Sequence, residues 1–230
     1  MIEERELRLE NRHTGEVLYL SRTHLESGEE AIRLRGSLPP GSDGPPPHIH
    51  TRESERGTVL SGRLGAVVDG EEIVLEAGEE FVFPAGQMHT WWNAGNELLE
   101  TEGIAYPAAD LDRYLQAMFA VLNAGKAGRP SPVFAAHIAR RHRTTQYAAI
   151  MPRPLQRLLF PVLVAFGRLT GKYSGDDWPG SPSSSKEAPH VEGGTVQRGV
   201  PDPEKMRELG EKYGQEVVGP PLAVSLGLVR

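Results

Sequence analysis

A chain of 230 residues, 38% of them hydrophobic and none of them cysteine, can bury a core without disulfides and has no thiolate metal site or nucleophilic cysteine. A net charge of −6 argues against a nucleic-acid footprint, and the acidic start Met1-Ile-Glu-Glu-Arg-Glu, with no apolar stretch, points to the cytoplasm. Glycine and proline, at 26 and 19 residues, suit a turn-rich β protein.

In chain order, Glu6 to Arg12 and Val17 to Arg22 predict two strands around His13-Thr14-Gly15. Ala31 to Leu38 predicts a third, with Ile32, Leu34 and Leu38 on one face. His13 and His24 lie in or beside turns and are expected on the surface. In Gly44-Pro-Pro-Pro-His48-Ile-His50 the prolines rule out a helix, so both imidazoles point to one side of an extended segment as a chelating pair. Glu55, beyond a local turn, can return to that side and complete a mixed nitrogen and oxygen site for a first-row divalent metal. Glu53 is the rival; the turn glycine Gly62 stands seven residues after Glu55, whereas Leu60 stands seven after Glu53, so Glu53 is assigned to the solvated turn. By strand alternation Gly57 and Val59 share the face of Glu55.

Leu64 to Val68 and Glu72 to Leu75 flank Asp69-Gly70, a strong hairpin signal. Phe81, Val82 and Phe83 form an apolar β run, Pro84-Ala85-Gly86 breaks it, and Met88 to Asn93 restarts a strand carrying His89, with Gln87 and Trp91 on its face. The hairpin brings His89 back toward His48 and His50. A turn at Ala94-Gly95-Asn96 leads into a last strand, Glu97 to Tyr106.

After Pro107 the pattern becomes helical. Asp110 can cap a helix whose Leu111, Tyr114, Leu115, Met118, Val121 and Leu122 form a stripe for the exterior of the preceding β unit, ending at Gly125. A second helix is expected over about Pro132 to Ala149, its Arg140, Arg141, His142 and Arg143 forming a solvated basic face. Leu155 to Leu169 contains nine apolar residues in a row, Leu158 to Phe166, too few to span a bilayer. Such a helix must bury itself in a partner chain, on its own β unit or at a membrane surface, in that order of preference. Ser174 to Gly194 reads as a linker, with a free His190. The tail follows with a short helix from Asp202-Pro203, expected to fold back over its own or a neighbouring β unit.

Two stretches resemble the paired motifs of the cupin superfamily. The second motif matches at Gly78, Pro84, Gly86, His89 and Asn93. The first matches at His48, His50, Glu55 and Gly62, with Ser42 where its opening glycine is expected. The resemblance covers about residues 10 to 107. It implies a mainly β fold, a single antiparallel cupin β-barrel of jelly-roll type, with C-terminal helices added. It also implies one divalent metal ion held by His48, His50, Glu55 and His89, the four residues that the spacing singles out. Cupins often carry a bulky residue two positions after the glutamate; here Gly57 stands there, which is expected to open the pocket to a large, flat or apolar ligand against Trp91.

The expected organisation is therefore a barrel over residues 1–107, a helical extension over 108–173, a linker over 174–194 and a tail over 195–230. Three imidazoles and a carboxylate leave two positions on a six-coordinate ion, an arrangement that favours iron, manganese, nickel or cobalt over zinc. By analogy with quercetinase-like cupins, the expected function is a metal-dependent dioxygenase of a small enolic or aromatic substrate. A non-catalytic small-molecule-binding cupin and a sugar isomerase or epimerase are the alternatives. No helix-turn-helix or transmembrane segment is apparent, and a homodimer is expected because small barrels cover strand edges with a partner.

Overall fold

The computed structural model describes residues 6–126 and 129–172. The expected linker and tail, with His190 and the short helix from Asp202-Pro203, lie outside the described residues. Ten strands run first: β1 Leu7–Glu10, β2 Val17–His24, β3 Glu30–Leu38, β4 His48–His50, β5 Ser54–Ser61, β6 Arg63–Val68, β7 Glu71–Glu76, β8 Glu80–Phe83, β9 Met88–Asn93 and β10 Leu99–Tyr106. Then come α1 Leu111–Ala124, α2 Pro132–Arg141, β11 Gln146–Ala148 and α3 Arg153–Leu169.

The strands form two antiparallel sheets, in the orders β1-β2-β3-β10-β5-β8 and β11-β4-β9-β6-β7. The fold is mainly β, as expected. Asp69 at φ 50° and Gly70 at φ 92° both take the left-handed conformation that the tight β6–β7 hairpin needs. Leu38, Val59, Phe81, Phe83 and Leu99 from the six-stranded sheet pack against Leu64, Ala66 and Val68 from the other, so one apolar core lies between the two layers. His13 and His24 are exposed.

The helical part differs from expectation in three ways. First, α1 does not lie on the outside of the sandwich. Its Leu111, Tyr114, Ala117 and Val121 pack on Leu20, Ile32 and Ala105. Ile32 is the cross-strand partner of Ala105, and Ala105 that of Glu55, so the helix covers the same sheet face that carries Glu55. Asp110 stands at its N-terminus but makes no side-chain cap; His142 Nδ1–H donates to its carboxylate at 2.5 Å instead.

Second, the second helix stops at Arg141 rather than running to Ala149. Residues 146–148 form β11 on the edge of β4, where Gln146 faces His50 and Ala148 faces His48. The open edge of β4 offers backbone partners that a further helical turn would forgo. Third, His142 interrupts the basic run, since it is buried while Arg140, Arg141 and Arg143 are exposed. Helix α3 packs on α2 through Phe160, Leu163 and Val164 against Val133, Phe134 and Ala136. Among the described residues no helix is long and apolar enough to cross a membrane.

Candidate metal centre

Three prolines hold the approach to β4 extended, and the period of two sends His48 and His50 to one face. Strand β9 pairs alongside, with His89 directly opposite His48. The ligand atoms of the three buried histidines lie within 4.8 Å of one another, a group that could hold a metal ion. Glu55 comes from β5 in the opposite sheet and places Oε1 3.2 Å from His50 Nε2.

Second partners set the tautomers. His48 Nδ1–H donates to the Pro46 carbonyl at 3.0 Å and His89 Nδ1–H to the Gln87 carbonyl at 3.3 Å, so each presents an unprotonated Nε2. His48 Nε2 lies 3.2 Å from His50 Nε2, and His89 Nε2 is buried with no protein partner. Lone pairs and a carboxylate oxygen thus converge where a hydrogen-bond donor is scarce, and a divalent cation fits such a donor set.

The charge states agree with that fit. Burial holds the His48 imidazolium well below its usual range, reinforced by the neighbouring His89 and His50. Burial lowers His89 to about 4, partly opposed by Glu55. Burial pushes the Glu55 carboxyl up, but His50, His89 and His48 outweigh it and bring the group down to about 2. At neutral pH the cluster therefore offers neutral imidazoles at His48 and His89 and an ionised carboxylate.

Other expected residues sit differently. Glu53 is not in a solvated turn: it is fully buried, and burial raises its carboxyl. The Thr51 N–H donates to the Thr145 carbonyl at 2.8 Å, so the segment leading into β11 lies against that turn. Gly57 leaves no opening, because a Cβ there would meet the Phe81 ring at 2.7 Å and the Glu102 carbonyl at 2.4 Å. Val59 is fully buried in the core between the sheets. Trp91 is half-buried against that core, its ring over Gly44. Gln87 is half-buried and contributes its backbone carbonyl to His89.

Two neighbours of the site escaped the sequence reading. Phe83 stacks on His89 with ring centroids 4.7 Å apart and planes at 11°, giving the cluster an aromatic wall. Its alternation with Phe81 in the β8 run was the available signal. Gln146 lies opposite His50 and hydrogen-bonds Tyr114 of α1, which ties the helices to the edge of the site. Nothing in its local pattern marks it.

Residues 34–101 match the family model described as "Cupin domain". Among curated proteins none matches the chain. Among solved structures, KdgF from Halomonas sp. is 23% identical at a TM-score of 0.36, over 42% of this chain and 84% of that one. A predicted oxalate decarboxylase from Thermotoga maritima is 25% identical at a TM-score of 0.35, over 45% and 92%. AerE from Microcystis aeruginosa is 19% identical at a TM-score of 0.38, over 46% and 47%. The family match spans all three clustered histidines and Glu55, so residues 34–101 are similar to a cupin domain.

Proposed function

We propose that this chain is a metal-dependent dioxygenase of a small organic substrate, enolic or aromatic, with His48, His50, Glu55 and His89 as the metal ligands. The observation that carries the reading is the convergence of three buried imidazoles with one ionised carboxylate beside the Phe83 ring. Four such donors would leave two positions open on a six-coordinate ion, which favours iron, manganese, nickel or cobalt over a closed zinc site. A divalent metal held there supplies Lewis-acid and redox chemistry. The protein's own part is to hold His48 and His89 in the Nε2-accepting tautomer, to keep Glu55 ionised, and to shed water with Phe83.

This reading places the enzyme in the cytoplasm, acting on a small molecule. A homodimer would form through the sheet edges β1, β7, β8 or β11 rather than at the metal. An oxygen electrode tests the activity. Metal-loaded protein supplied with a flavonol should consume dioxygen in proportion to substrate lost, and Glu55→Ala should abolish uptake. Saturable flavonol binding without uptake would instead indicate a non-catalytic binding cupin, and interconversion of sugar isomers or epimers without dioxygen an isomerase or epimerase.

A further inference from the structure

From Arg113 to Lys172 the sequence contains ten lysines and arginines and no aspartate or glutamate, so all 31 acidic residues lie outside this stretch. The stretch is the helical addition to the sandwich, and α3 is its last element. One face of α3, Phe160, Leu163 and Val164, packs on α2. Among the described residues nothing covers the opposite face: Leu158 is 72% exposed, Val162 61%, Phe166 55% and Leu169 88%. These four recur at spacings of four, four and three residues and form one continuous stripe along the helix. Arg157 and Arg168 stand three turns apart on one flank of it, and both are exposed.

We propose that α3 seats the protein on an anionic membrane surface, lying flat with the stripe Leu158, Val162, Phe166 and Leu169 in the acyl boundary and the flanking arginines at the lipid phosphates. The combination of a large-residue apolar stripe, a purely basic charge set and a length too short to cross is the physical description of an interfacial helix. The apolar stripe has no hydrogen-bonding group for nucleic-acid phosphates or base edges, which argues against RNA or DNA as the occupant. A second copy packed stripe to stripe would bring two purely basic stretches together, a like-charge arrangement that costs affinity. An anionic bilayer meets both features at once, since its headgroups attract arginine while its acyl chains take the stripe.

Co-sedimentation of the full chain with vesicles tests this. It should pellet with an equimolar mixture of phosphatidylglycerol and phosphatidylcholine and stay in the supernatant with phosphatidylcholine alone. Removing Arg157 or Arg168 as alanine should weaken partitioning by about fivefold each. Leu158→Asp with Phe166→Asp should abolish it while leaving the thermal melt unchanged, because both side chains are already exposed. Three results would overturn the proposal. One is no binding to the anionic vesicles by protein with a native melt. Another is binding that survives the double aspartate variant. The third is a dimer in gel filtration that the same variant converts to monomer without any vesicle binding, which would assign the stripe to a second copy.

Discussion

Gly57→Ala is expected to destabilise the protein by about 3 kcal/mol, lowering Tm by on the order of 10 °C, although it adds a single methyl group. Gly57 and Gly103 are cross-strand partners in β5 and β10, and each backbone lies where the other's side chain would begin. A Cβ at Gly57 would stand 2.4 Å from the Glu102 carbonyl and 3.0 Å from Gly103 Cα, both backbone atoms with no rotamer by which to retreat. At 2.7 Å the Phe81 ring would also have to move, and Phe81 stacks on Phe83, which stacks on His89. The substitution should therefore weaken metal affinity as well as stability. A calorimetric melt with the wild-type Tm would show that the two strands can separate at no cost, and would restore the open pocket that the sequence reading expected at this glycine.

Acidification gives the second large effect. With a chelator present, stability should fall steeply as pH drops from 6.5 toward 4, and fall further below that. His89 titrates near 4 in the fold against a usual 6.5, and His48 is shifted the same way. The unfolded chain therefore binds more protons at these two residues than the folded one, so their contribution is complete above pH 6.5 and is lost as pH falls toward the folded values. For His89 alone that amounts to about 3 kcal/mol as an upper bound. Glu55, near 2 in the fold against a usual 4.5, adds a loss of the same sign at lower pH. A Tm that stays flat from pH 6.5 to 4 would mean that the imidazoles are not held neutral by burial.

The legible parts of this protein were those set by local geometry. His48 and His50 share a face because a strand alternates, Asp69-Gly70 turns a hairpin because both residues accept positive φ, and β9 follows from the Pro84-Ala85-Gly86 break. The positions that misled depend on chain far away in sequence. Gly57 looked like an opening until β8 placed Phe81 over it. Glu53 looked solvated until the segment before β11, more than ninety residues later, lay against its turn. Strand β11 itself has three residues, too few to show any period, and exists because β4 has an edge to pair. Asp110 carries the residue type of an N-cap, yet buried His142 takes its carboxylate, a long-range competition that no local pattern announces.

The most direct test of the metal centre is elemental analysis of the full chain purified without chelator, beside a His48→Ala, His89→Ala double variant. The site predicts about one iron, manganese, nickel or cobalt per wild-type chain and nearly none in the variant, since the loss of even an outer-shell partner costs about 10–100-fold in metal affinity and two ligands are removed here. Wild-type protein that holds no metal after reconstitution with each of these ions, or a variant that retains as much as the wild type, would contradict it.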